Sequence, residues 1–163
     1  MGWFASTLKT ACADDLKDKN AMAVDTLTAL NAYELMYNTA CLSDPTTNTY
    51  CYIDAAASPN PADLYLYQLP FGTSVPPNTT GFTCSSCSKS ILGSYAAALD
   101  NNTIAADLTG LKTAYGPSVQ IVDAVCGNQF AKSGAVNSAT SVHFSYGFSG
   151  ILVAVLALWS LIF

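Results

Sequence analysis

Arginine is absent from the 163 residues, and histidine and glutamate occur once each, as His143 and Glu34. Only 10% of the chain is charged, well below the usual quarter. The six basic residues are all lysines and face eleven acids, for a net charge of −5. Such a surface repels a phosphate backbone and offers it no bidentate guanidinium, so nucleic acid is excluded as a partner. Low charge combined with 51% apolar residues also argues against disorder, which needs the opposite balance. No cofactor or metal pattern is present: a single Cys-x-x-Cys does not make a four-ligand zinc site.

The longest hydrophobic run, Ile151 to Phe163, contains one polar residue and has no lysine or arginine after it. With a softer lead-in from Tyr146 it reaches the short end of what spans a bilayer. Before it, Ser133 to Gly147 is polar, rich in small residues and free of carboxylates and lysine. Small residues, a polar spacer and a hydrophobic tail make up a glycosylphosphatidylinositol (GPI) attachment signal. The best-placed attachment residue is Asn137, with Ser138 and Ala139 behind it; Ser133 is the second choice. Under that reading the tail is cleaved and the lipid is the membrane anchor. The alternative is a single transmembrane helix kept in the mature protein.

A GPI tail requires the secretory pathway, yet residues 1–15 show no basic n-region and no apolar core of a signal peptide. A late, truncated start is therefore expected, and residues 1–11 are left unassigned. Met1, Gly2 and Ser6 fit a loose myristoylation pattern, read here as a chance match because Trp3 and Phe4 crowd Gly2.

Six cysteines, Cys12, Cys41, Cys51, Cys84, Cys87 and Cys126, suit that compartment and imply three disulfides among fifteen connectivities. Cys41 and Cys51 flank the turn-rich stretch Ser43 to Tyr50, which makes them the preferred pair. Cys84 and Cys87 fall on one helical stripe with Ile91, Tyr95 and Ala98, so both sulfurs are expected to be structural rather than redox-active. Asn78 and Asn101 open glycosylation sequons in polar, turn-like surroundings.

The expected fold is mostly α: a small helical domain stapled by disulfides, carrying a proline- and tyrosine-rich extended segment. Residues 13–41 read as one helix with an apolar stripe of Ala23, Leu27, Leu30, Tyr37 and Cys41. Glu34 falls inside that stripe, where a tyrosine hydroxyl or backbone donor would satisfy it. The helical pattern breaks over residues 42–81: Ser43 to Tyr50 is turn chemistry, and Ser58 to Pro77, with five prolines, reads as an ordered extended wrap. Three helices follow: 84–99 capped by Thr83, 103–115 ended by Gly116, and 117–126 ended by Gly127. The domain is expected over residues 12–130, the spacer over 131–147 and the tail over 148–163.

The stretch from "YNTACLSDPTTNTYCYIDAAASPNPADLYLYQLPFGTSVPP" through "TCSSCSKSILGSYAAAL" to "VCGNQF" resembles a fungal family of cysteine-containing, GPI-anchored surface proteins. That family is catalogued as a domain of unknown function. The resemblance covers Cys12 to Phe130 and implies location without a catalytic residue. It also implies a signal peptide and a further cysteine-bearing segment upstream, which leaves the partner of Cys12 open.

With His143 inside the segment to be cleaved, the mature domain would hold neither histidine nor arginine. Histidine-based general acid–base chemistry and Ser-His-Asp triads fall away. Paired carboxylates remain, with Asp54, Asp63 and Glu34 as candidates, but no spacing singles out a pair. No enzyme is expected. A cell-surface or cell-wall display or adhesion domain is the leading reading. The alternative is a glycan- or lipid-binding module using Tyr50, Tyr52, Tyr65, Tyr67 and Phe71, whose rings could stack on sugars or pack around the prolines.

Overall fold

A computed structural model describes residues 1–59 and 61–131. The expected attachment residues Asn137 and Ser133, the spacer from residue 132 on and the hydrophobic tail lie outside them; Ala131, expected as the first spacer residue, is instead buried in the core. The described part is helical, in the order α1 (Gly2–Ala11), α2 (Ala13–Lys17), α3 (Ala21–Ala40), α4 (Cys51–Ala57), a 3-10 helix (Pro61–Phe71), α5 (Ser86–Asp100), α6 (Asn102–Ala105) and α7 (Thr109–Cys126). Among the described residues the only β feature is an isolated bridge between Ser43 and Tyr50.

The segment before Cys12 is part of the fold. Helix α1 packs on α3, buries Ala5, and ties Lys9 Nζ to Asp107 Oδ1 at 2.7 Å. The helix expected over 13–41 is broken instead at Asp18–Asn20, where Lys19 takes a φ of 57°. Asn20 then restarts it by accepting hydrogen bonds from the amides of Met22 and Ala23, an N-cap that satisfies otherwise unpaired donors. The buried face of α3 also differs from the expected stripe. Ala32 and Thr39 are buried, with Leu35 and Met36 packed against the core, whereas Tyr37, Cys41 and Glu34 are exposed. Thr39 can be buried because its hydroxyl donates back to the carbonyls of Leu35 and Met36.

The proline-rich segment is not extended. Cys51–Ala57 forms an α-helix, and Pro61–Phe71 winds as a 3-10 helix with Pro61 at its start. Pro61 supplies a preset φ at a position whose amide would have no partner. An eleven-residue 3-10 helix exceeds the usual three or four residues and depends on its surroundings. Leu66, Leu69 and Pro70 are buried, and the phenol of Tyr95, itself fully buried, donates to the Leu66 carbonyl at 3.0 Å. The helix ends at Gly72, whose φ of +90° a side chain would resist. There it meets the first turn of α7. A Cβ on Gly110 would lie 2.5 Å from the Pro70 carbonyl oxygen and 2.8 Å from the Gly72 nitrogen, both rigid backbone atoms.

Helix α5 begins two residues later than expected, with Ser85 rather than Thr83 as its cap. The helices expected at 103–115 and 117–126 are instead the short α6 and a continuous α7 that runs through Gly116 and Pro117. Proline disfavours helical geometry in the residue before it through that residue's Cβ, and Gly116 has none. Gly127 ends α7 at a φ of +97°, as expected.

The cysteines pair differently from the preferred assignment. Cys51 joins Cys87 and Cys84 joins Cys126, with Cα–Cα distances of 5.4 and 5.5 Å. The expected Cys41–Cys51 bridge is not formed. The loop between those residues is closed by backbone instead: Cys51 N donates to Leu42 O at 2.8 Å and Asp44 N to Thr49 O at 2.9 Å. Cys51 is thereby left inward-facing at the start of α4, and Cys41 stays exposed. Cys12 and Cys41 are both free thiols. They cannot reach each other, since α1 runs back along α3 and leaves Cys12 near the start of that helix. Cys41 caps its other end, about 30 Å away by helical rise, against the roughly 7 Å a disulfide tolerates.

Two outcomes are expected. Gly110→Ala lowers the free energy of unfolding by about 1–3 kcal/mol in denaturant titrations, because the added methyl overpacks a backbone contact. Alkylation without reduction, followed by peptide mapping, labels Cys12 and Cys41 and recovers Cys51 linked to Cys87 and Cys84 to Cys126. Each staple closes a loop, of 36 and 42 residues, worth about 4 kcal/mol by chain entropy.

Candidate functional site

The Cys51–Cys87 bridge forms part of the wall of a half-open cleft of about 300 Å³. Three pieces of chain assemble it: the Asp44 turn with α4, the 3-10 helix, and the start of α5. Apolar lining comes from Ala55, Leu66, Ile91 and the disulfide. Polar lining comes from Asp44, Asp54, Asp63, Tyr67 and the hydroxyls around Ser85 and Ser88. Glu34, the third carboxylate read from the sequence, lies elsewhere, exposed on α3 beside Tyr33 and the chain's first residues.

Each carboxylate is held by protein donors that also build the fold. Asp44 Oδ1 accepts the Thr46 hydroxyl and the Thr46 amide, the latter at 2.7 Å, and its Oδ2 accepts the Ser86 hydroxyl at 2.7 Å. These donors, Thr46 first, hold the Asp44 carboxyl down from 3.8 to about 2. Asp54 accepts the Thr49 hydroxyl at 2.6 Å, and Asp63 accepts the Thr83 amide at 2.8 Å. Among the described residues, no group of three or more histidine, cysteine or carboxylate side chains converges on a point as a metal site would. The carboxylates line the cleft without gathering at one spot.

Tyr67 is the unusual member. It is 7% exposed, and its phenol oxygen is buried without a hydrogen-bond partner. Burial pushes its pKa well above the ordinary phenol value, and the fields of Tyr95 and Asp63, then Tyr52 and Asp54, add to the shift. The phenol therefore stays protonated, and Tyr67 shares the cleft's lining with Asp54 and Asp63.

The five aromatic residues named from the sequence do not share one environment. Tyr50, Tyr52 and Phe71 are exposed, Tyr65 is half-buried and Tyr67 is buried. Tyr52 meets Tyr67 edge-on, with centroids 5.1 Å apart and planes at 87°, so this pair is not a flat platform. Among the described residues the parallel pair of exposed rings is Tyr33 and Tyr37 on α3, at 6.4 Å and 14°. Their i, i+4 spacing is the sequence signal for this pair, although Tyr37 also fits the apolar stripe of α3.

Both sequon asparagines are exposed. Asn78 Oδ1 accepts the amide and hydroxyl of Thr80, and Asn101 Oδ1 caps α6 through the amides of Thr103 and Ile104. A glycan would be attached at Nδ2 and leave these oxygens in place. Cys84 and Cys87, one step apart on the same helical end, are both disulfide-bonded to distant cysteines rather than to each other.

The Asp44 geometry sets an acid limit. A carboxyl whose pKa is lower in the folded state stabilises the fold above its unfolded value, and that contribution is lost as pH falls through about 2. Thermal melts of wild type and Asp44→Ala are expected to differ most at neutral pH, with the wild type higher. The gap should narrow below about pH 4 and be smallest near pH 2.

Neither a curated protein nor a solved structure matches the chain. A family model does, over residues 1–135, which takes in α1 as well as the cysteine-bearing core. The chain belongs to the family described as domain of unknown function DUF7729.

Proposed function

We propose that this chain is a surface-display domain of fungal origin, carried through the secretory pathway and held at the outer face of the plasma membrane or in the cell wall by a GPI lipid. Attachment falls at Asn137, or at Ser133, and Asn78 and Asn101 carry N-glycans. Its work is display or adhesion, with cell-wall glycan as a neighbour, and it is not an enzyme.

The observation that carries the reading is the pair of disulfides between core elements. Such bridges form and persist in oxidising compartments and are rare where glutathione keeps thiols reduced. The exposure of both sequon asparagines agrees with it, as does the small-residue and hydrophobic patterning after residue 132. Among the described residues no helix is long and apolar enough to cross a membrane. Anchoring thus rests on the segment beyond them.

Treating intact cells with a phosphatidylinositol-specific phospholipase is expected to release the protein. Mass spectrometry of the released material should end at Asn137 or Ser133. Retention on the cells together with recovery of Trp159 would replace the lipid anchor by a membrane-spanning helix.

A further inference from the structure

A second recess lies away from the disulfides, where α1, α3 and α6 come together. It measures about 390 Å³, and Met1, Leu30, Tyr33 and Ile104 line it together with Asn31 and Glu34. Met1, Tyr33 and Ile104 are each about half exposed, and the Tyr33 ring lies parallel to that of Tyr37 one turn on. Large apolar side chains scattered singly over a surface are ordinary. Gathered around one recess, they mark a surface that something covers.

Asn101 stands at the edge of this recess. It is the N-cap of α6, and its Oδ1 accepts the amides of Thr103 at 3.1 Å and Ile104 at 3.4 Å. The side chains of an N-cap and of the residue three further on lie on one side of the first turn, which is what lets a capping box close. The Asn101 carboxamide and the Ile104 side chain are therefore neighbours, and Ile104 is one wall of the recess. The atom that takes a glycan, Nδ2, shares its carbon with the Oδ1 engaged in the cap. A sugar chain begun there starts beside the apolar surface.

The lining selects among occupants. An anion would meet the Glu34 carboxylate with no lysine in the wall. A hydrocarbon chain would offer nothing to the Asn31 amide or to Glu34. A neutral sugar brings both kinds of surface, an apolar face that stacks on a ring and hydroxyls for a carboxamide and a carboxylate. Tethering supplies the rest: a short flexible link gives an effective concentration on the order of millimolar, so weak contacts suffice.

We propose that the first sugars of an N-glycan on Asn101 fold back into this recess and stack on Tyr33 and Ile104, covering the join between α1 and α3. The inference rests on the reading in which Asn101 is glycosylated, and it names what that glycan does.

The test uses the full chain, made in yeast behind a cleaved secretory leader and extracted in detergent. Glycopeptide mapping first reads the occupancy of Asn101. Thr103→Ala abolishes the sequon while Asn101 Oδ1 keeps both backbone amides of the cap. The glycosylated protein is expected to melt about 2–4 °C above Thr103→Ala, the effect of one stacking contact. Tyr33→Ala should lower the melting temperature more with the glycan present than in the Thr103→Ala background. An endoglycosidase acting on folded protein should release the Asn101 glycan about two- to tenfold faster from Tyr33→Ala than from wild type. An unoccupied Asn101 overturns both this inference and the glycosylation it rests on. With Asn101 occupied, equal melts, or a release rate that Tyr33→Ala leaves unchanged, overturns the inference alone. So does a dimer of the Thr103→Ala protein that Tyr33→Ala dissociates, which would give the recess to a second copy of the chain.

Discussion

An eleven-residue 3-10 helix has little stability of its own, since its hydrogen bonds are poorly aligned and its side chains eclipse every third residue. Pro61–Phe71 persists because four other helices touch it: α3, α4, α5 and α7. Leu66 and Leu69 go to zero exposure, Tyr95 donates to the Leu66 carbonyl, and the backbone at Pro70–Gly72 lies against Gly110 with no room for a side chain. Each contact constrains a different partner. The segment is the centre around which the rest of the domain is arranged.

The disulfides act on the same assembly from outside it. Cys84 and Cys87 flank the start of α5, and they reach to the end of α7 and the start of α4 respectively. One end of a single helix is thus tied to two elements that pack on the 3-10 helix. The cleft lies beside the bridge that joins α4 to α5, with Tyr67 of the 3-10 helix in its wall. The carboxylates at its rim are not spare charges, because Asp44, Asp54 and Asp63 each anchor a turn or a helix start through threonine or serine donors.

Periodicity located the helices better than it located their faces. The stripe of Cys84, Cys87, Ile91, Tyr95 and Ala98 lies largely on the buried side of α5, because apolar residues there recur where the core is. In α3 apolar residues occur all round the helix, so Leu27, Leu30 and Tyr37 formed a stripe as plausible as the true one. Only the position of the 3-10 helix and α5 selects Ala32, Leu35, Met36 and Thr39. Proline misled in both directions for one reason: its effect depends on its neighbours. Pro61 opens a helical segment, and Pro117 is tolerated inside one because Gly116 precedes it. The Tyr67 phenol left no trace in the chain at all, since an unpartnered oxygen is a property of packing.

By itself the chain determined its helical class, its glycine-terminated end at Gly127, its exposed sequon asparagines and its lack of arginine. These follow from local propensity and from composition, which need no distant partner. Tertiary structure decided which cysteines meet, which face of α3 is covered, how the proline-rich stretch winds, and that three aspartates and a buried phenol share one cleft. Those outcomes depend on groups tens of residues apart, and a one-dimensional pattern carries no distance between them.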